Sequence, residues 1–96
     1  MIKLYQPWPA PVLAACYREP SVLPEIARWV DGLREQGRIA ADVGFGTRRR
    51  AGALVGVLRD RTGECELSQG SFLVFGQAGL QVLDERSFFL RYYEPG

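Results

Sequence analysis

Apolar positions recur at one period early in the chain and at another over the rest. Val22, Ile26, Trp29, Val30 and Leu33 fall at steps of three and four, the spacing that lays one stripe along an α-helix. Arg28, Asp31, Arg34 and Glu35 fill the other side. Ser21 suits the N-cap. Pro24 falls in the first turn, where a missing N–H costs little, and Glu25 lies near the positive end of the helix dipole. Gly37 stands where a left-handed residue ends a helix. The pattern predicts a helix over 21–37, with Gly32 inside it at a cost of about 1 kcal/mol against alanine.

Residues 12–18, "VLAACYR", are apolar nearly throughout and predict a central strand covered on both faces. Before them, Pro7, Pro9 and Pro11 predict an extended lead-in over residues 1–10. From residue 39 the period shortens towards two. A weak strand is expected over 39–45, a loop over "GTRRRAG" (46–52), and strands over 53–60, 64–68, 71–75 and 80–84, each parted from the next by a tight turn. The aromatic tail over 86–95 reads as a strand, or as a short helical turn followed by one. These elements predict an α+β fold: one amphipathic helix packed on a curved antiparallel sheet (meander) of about five strands, in a single domain over 1–96.

The stretch "GSFLVFGQAGLQVL" (70–83) sharpens this. Gly76 and Gly79 are expected to supply positive φ for a hairpin link. Phe72 and Val74, with Leu80 and Val82, are expected on the helix-covered face; Leu73, Phe75 and Leu83 point the other way. A lone helix covers one face of a sheet. The second face, with Phe88, Phe89, Leu90, Tyr92 and Tyr93, is then either an exposed interface or enclosed by curling of the sheet.

Composition narrows the chemistry. Histidine is absent, which removes imidazole acid–base work, Ser-His and Cys-His nucleophile pairs and His-containing metal sites. Cys16 and Cys65 are too few for a zinc site without histidine, both are expected in the core, and nothing marks the chain as secreted, so reduced thiols and a cytoplasmic setting are expected. The first residues do not read as a signal peptide, and no apolar run approaches the roughly 18 residues of a membrane span. Net charge is +1, from 12 basic and 11 acidic residues, which gives no whole-chain footprint for nucleic acid. Lys3 is the one lysine among the basic residues; arginine suits bidentate recognition of carboxylate or phosphate, and it is also what a GC-rich genome encodes.

Three features could carry binding. Arg48, Arg49 and Arg50 form the one basic run, able to grip a phosphate or an acidic protein surface. Phe75 lies on the second sheet face, near the tail aromatics such as Tyr92. Trp8, between two prolines, is an aromatic anchor on a stiff segment. Asp60, Glu64, Glu66, Asp84 and Glu85 lie near strand ends without the ligand spacing of a cation-binding loop, and read as a charged outer face. No catalytic residue, cofactor or metal is expected.

Residues 62–94 resemble the C-terminal half of a family of small proteins encoded by tailed bacteriophages and prophages. That family ends in a pattern close to "GDWII-x-G-x-x-GEFYP", followed by a phenylalanine and "YEP". Gly70 stands at the glycine of "GD", Phe72-Leu73-Val74 at "WII", Gly76 and Gly79 at the next two glycines, Phe89 at the later phenylalanine, and Tyr93-Glu94-Pro95 at "YEP". The N-terminal half agrees loosely, with an apolar strand and a helix carrying Trp29. Ser71 replaces the acid of "GD", Leu80 the glutamate of "GE", Val82-Leu83 the "YP" and Arg86 a proline. Glycines and apolar positions are kept while polar positions are lost, the pattern of a shared fold without a shared active site. The resemblance implies phage or prophage origin and no particular reaction.

The expectation is therefore an accessory protein, not an enzyme, in the cytoplasm of a bacterial host. It would act by binding a host or phage protein, for example as an anti-CRISPR-like inhibitor of a defence system. A second copy of the chain is another candidate partner. A nucleic-acid-binding accessory protein and a structural, oligomeric virion-associated protein are the alternatives, with the neutral net charge set against the first.

Overall fold

The computed structural model describes residues 2–7, 12–77 and 79–93, and of 3–7 and 93 the backbone alone. The fold is α+β with antiparallel sheets. Strands β1 (Ile2–Pro7) and β2 (Val12–Cys16) come first, then a 3₁₀ turn (Pro20–Val22) leading into helix α1 (Leu23–Glu35). Strands β3 (Gly44–Arg50), β4 (Ala53–Asp60), β5 (Gly63–Leu67), β6 (Phe72–Gly76) and β7 (Gly79–Leu83) follow, then helix α2 (Glu85–Arg91) and β8 (Tyr92–Tyr93). Among the described residues no helix is long and apolar enough to cross a membrane.

The single meander expected from the sequence is two sheets. One has five strands in the order β7-β6-β2-β1-β8; the other has three, β3-β4-β5. The lead-in is a paired strand: β1 lies against β2 on one side and β8 on the other. β2 pairs next with β6, Cys16 opposite Phe72 and Leu13 opposite Phe75. The chain thus leaves the first sheet after β2, builds α1 and the β3–β5 meander, and returns. Eight strands form among the described residues where about five are expected, and spacing along a sequence does not say which strands pair.

Helix α1 forms where its apolar stripe predicts, with Leu23, Ile26, Val30 and Leu33 buried. Its start differs: Val22 is the cap, without a side-chain bond, because the 3₁₀ turn at Pro20–Val22 takes over the expected role of Ser21. Its end is as expected. Gly37 is left-handed (φ 72°), and the Arg38 N–H donates to the Leu33 carbonyl at 2.9 Å, closing a Schellman motif. Arg38 is thereby fixed just beyond the helix.

The main core lies between the sheets and under α1. Ala15, Tyr17, Leu23, Ile26, Val30, Leu58, Leu67 and Leu73 form it, with Trp29, Phe45, Leu80 and Val82 packed against it. The Tyr17 hydroxyl, inside this core, donates to the Leu54 carbonyl at 2.6 Å and ties the two sheets together. A second cluster of Val12, Ala14, Phe72, Val74 and Phe88, with Cys16, Leu83 and Tyr92 against it, fills the space between the five-stranded sheet and α2. Along β2, β6 and β7 both faces of that sheet are covered from within the chain.

The faces also differ from expectation. Gly76 pairs with Gly79, so the link is two residues, and Phe75 opposes Leu80, Leu73 opposes Val82, and Phe72 opposes Leu83. Directly opposed residues share a face. Leu73, Leu80 and Val82 therefore join the α1 core, while Phe72, Val74 and Leu83 turn to α2. Sequence alternation instead groups Leu80 and Val82 with Phe72 and Val74, and Leu83 with Leu73 and Phe75, a one-residue slip in register. Gly79 carries the positive φ (94°). Gly76 does not; a Cβ there would come within 2.9 Å of the Val12 Cγ1, so close strand packing is its reason.

Candidate protein-binding surfaces

The basic run is not a loop. Arg48, Arg49 and Arg50 lie in strand β3, opposite Val55, Leu54 and Ala53 of β4. Glu64 and Glu66 of β5 lie opposite Arg59 and Val57. The even-numbered β3 residues therefore share the outer face with Arg59, Glu64 and Glu66. Arg48 Nη2 donates to Glu64 Oε1 at 2.7 Å, and its Nη1 stands 3.6 Å from Glu66 Oε2. Arg50 Nε donates to Glu66 Oε2 at 2.7 Å, and Arg59 Nε to Glu64 Oε2 at 2.8 Å.

Each carboxylate thus serves two guanidinium groups. The Glu64 carboxyl is held below its ordinary range, first by the Arg48 hydrogen bond, and Arg48 is raised in turn by the same bond. Val55 and Val57 lie on this face and are buried, Val57 completely; long arginine stems cover apolar surface in this way. A phosphate arriving at Arg48 or Arg50 would have to displace a carboxylate already in place. Arg49 projects to the other face, exposed, with Nη1 3.3 Å from the Gly52 carbonyl. Arg61 pairs with Asp42 at 3.2 Å.

Phe75 is half-buried beneath Arg38, whose guanidinium carbon stands 4.9 Å from the ring centroid. Both line an open groove of about 780 Å³ between the β6–β7 hairpin and the connection from α1 to β3. Tyr92 packs its ring against Phe88, 5.1 Å between centroids, and is a core contact of α2. Trp8 lies outside the described residues. The candidates are therefore not gathered into one site: Arg48 and Arg50 occupy the outer face of the small sheet, Phe75 a groove, and Tyr92 the second core.

One feature lies outside the sequence reading, and a second is read there only as part of the tail cluster. Arg38 carries no signal of its own until the helix end places it over Phe75, far away in sequence. Phe89 and Leu90 are 56% and 79% exposed, side by side on α2. Phe88 is buried on the same helix, stacked on Phe72 with 3.9 Å between centroids. Phe89 meets the Phe72 ring edge-on at 5.4 Å. Phe88-Phe89-Leu90 is a single apolar run in the sequence, and the short helix sends its members to opposite sides. Asp84 caps that helix: its carboxylate accepts from the Ser87 N–H at 2.7 Å, which lowers its pKa.

Beside Phe89, Cys16, Arg18, Gln69, Gly70, Phe72 and Glu85 frame a second hollow of about 550 Å³. Burial pushes the Cys16 thiol up, against the effect of nearby Arg18, so it is a poor nucleophile at neutral pH. Cys65, expected in the core, is exposed on strand β5; it shares a face with Leu67, but the strand has left the core by that point. No group of three or more Cys, Asp or Glu side chains among the described residues could hold a metal ion. No protein-family model, curated protein or solved structure matches the chain.

Proposed function

We propose that this chain is a phage or prophage accessory protein that acts by binding another protein, inhibition of a bacterial defence system being one form of that role. The observation that carries the reading is the outward presentation of Phe89 and Leu90 on a helix anchored by Phe88. A short, capped helix holding two large apolar side chains in water is a rigid presenter, and aromatic side chains such as Phe89 are enriched at the cores of protein interfaces. The internal pairing of Arg48 and Arg50 with Glu64 and Glu66 sets the basic run against the nucleic-acid alternative, since those cations are already neutralised. The resemblance of residues 62–94 to small phage proteins supports the biological setting.

Affinity capture from a bacterial lysate tests this, comparing the wild type with Leu90→Glu. A specific protein held by the wild type and lost by the variant is the expected result. Equal recovery by both would remove α2 as the contact surface. Binding to a labelled DNA duplex that persists at physiological salt would move the assignment to nucleic acid.

A further inference from the structure

The groove beside Phe75 has a composition of its own. Val12 and Leu13 from β2, Ile39, Ala40 and Val43 from the connection after α1, and Phe75 and Leu80 from the β6–β7 hairpin give it apolar walls. Gly76 and Gly79 expose backbone along one side. Its volume of about 780 Å³ lies within the range of ligand-binding clefts.

Two charged residues complete the lining, Arg38 and Asp60. Arg38 is exposed and makes no ion pair with any described residue; its guanidinium lies on the face of Phe75. A guanidinium laid on an aromatic face keeps its N–H edge free for an anion. Asp60 takes the Thr62 N–H and hydroxyl on Oδ1, at 2.8 and 2.6 Å, and the Gly63 N–H also supports its carboxylate, which with about four lone-pair sites keeps acceptor capacity. The groove therefore offers an apolar bed, a cation with no ion pair to any described residue, and a carboxylate with acceptor capacity left. A fatty acid would meet the cation and leave the acceptor unused. A peptide end supplies all three complements: an apolar side chain, a terminal carboxylate and backbone N–H donors. The open form of the groove also lets a chain continue into solvent.

We propose that this groove binds the C-terminus of a partner protein whose last residues are apolar, with Arg38 receiving the terminal carboxylate. The inference rests on the protein-binding reading but places a second contact, away from Phe89 and Leu90.

A random library of peptides displayed with free C-termini, selected on the intact chain, tests it. Enriched peptides should end in apolar residues. Remade with a C-terminal amide, they should bind roughly tenfold more weakly or worse, the usual effect of losing a charge-assisted hydrogen bond. Arg38→Gln should show the same loss for the free acid and no further loss for the amide, while its Tm stays at the wild-type value because the side chain is exposed. No enrichment, equal binding of acid and amide, or an unaffected Arg38→Gln would each overturn the proposal. So would 4-phenylbutyrate binding as tightly as the best peptide, which would assign the groove to small acids. Lysate capture that survives Arg38→Gln but not Leu90→Glu would leave the α2 surface standing without the groove.

Discussion

Ala51 sits at φ 50° beside Gly52 at φ 84°, in the two-residue turn that joins Arg50 to its partner Ala53. Two successive positive φ angles match the twist of an antiparallel hairpin, and Asn-Gly is the pair that fits them best. Alanine there holds its Cβ against the carbonyl at a cost of about 1 kcal/mol. Ala51→Asn is therefore expected to stabilise the chain by about 0.5–1 kcal/mol, seen as a higher urea midpoint at unchanged slope. Gly56 presents the opposite case. A Cβ there would run into the Phe45 ring at its Cζ and lie 3.2 Å from the Leu67 Cβ. The ring is half-buried against the main core and must shift to admit the methyl group, so Gly56→Ala should destabilise by about 1–3 kcal/mol. Phe45→Leu in the same chain should recover part of that loss, since contacting residues are not additive. Equal penalties with and without Phe45→Leu would show that the ring is not what the methyl group meets.

Strand β3 shows at the level of elements why one segment was illegible. Helix α1 could be read because its buried side chains are apolar and regularly spaced. In "GFGTRRR" the outward positions are Gly44, Gly46, Arg48 and Arg50, so the alternation that marks a strand is missing. Ion pairs to Glu64 and Glu66 stand in for apolar packing on that face. A signal did exist, a Glu-x-Glu strand facing an Arg-x-Arg segment across β4, but it becomes visible only once the pairing is known. Helix α2 was legible as one of two alternatives for the tail, because its aromatic residues suit strands as well; Asp84, read as part of a charged outer face, is its cap.

The carboxylates around these elements set the acid response. Glu64 is depressed by Arg48, Asp60 by Thr62 and Asp84 by Ser87. A group whose folded pKa lies below its unfolded value favours the folded state above the unfolded pKa, near 4 for these residues. That contribution disappears as pH falls through the folded value. Tm should hold from pH 7 down to about 5 and then fall. Glu64→Gln should lower Tm at neutral pH and make the fall shallower, and salt should weaken the difference because the network is exposed. A Tm that is flat to pH 3 in the wild type would contradict this.

At the scale of the molecule, the five-stranded sheet is the shared wall between two cores. Chain connectivity explains the arrangement: α2 leaves edge strand β7 and delivers the chain to β8 at the opposite edge, so it must cross the sheet, and Phe88 lands on Phe72 as it does. This closure, like the placing of Arg38 over Phe75, depends on residues brought together from distant parts of the chain, which is why hydrophobic pattern left the second face open. Strands β2 and β6 supply Ala15 and Leu73 to one core and Ala14, Phe72 and Val74 to the other. Side chains of alternate parity on the same backbone cannot lose their order separately, so the two clusters should melt together. Phe88→Ala removes a fully buried ring and is expected to cost about 3–5 kcal/mol, a large part of the stability of a chain this size. Leu90→Ser, two residues on and exposed, should change stability by less than about 0.5 kcal/mol. Trp29 packs against the other core, and in a Trp8→Phe background it is the sole tryptophan, so its fluorescence reports that core alone. In the Phe88→Ala variant the Trp29 transition and the far-UV transition should move down together and stay coincident. A Trp29 transition left at the wild-type temperature, with far-UV signal lost earlier, would mean that α2 and its cluster come away as a separate unit and that the sheet does not couple its two faces.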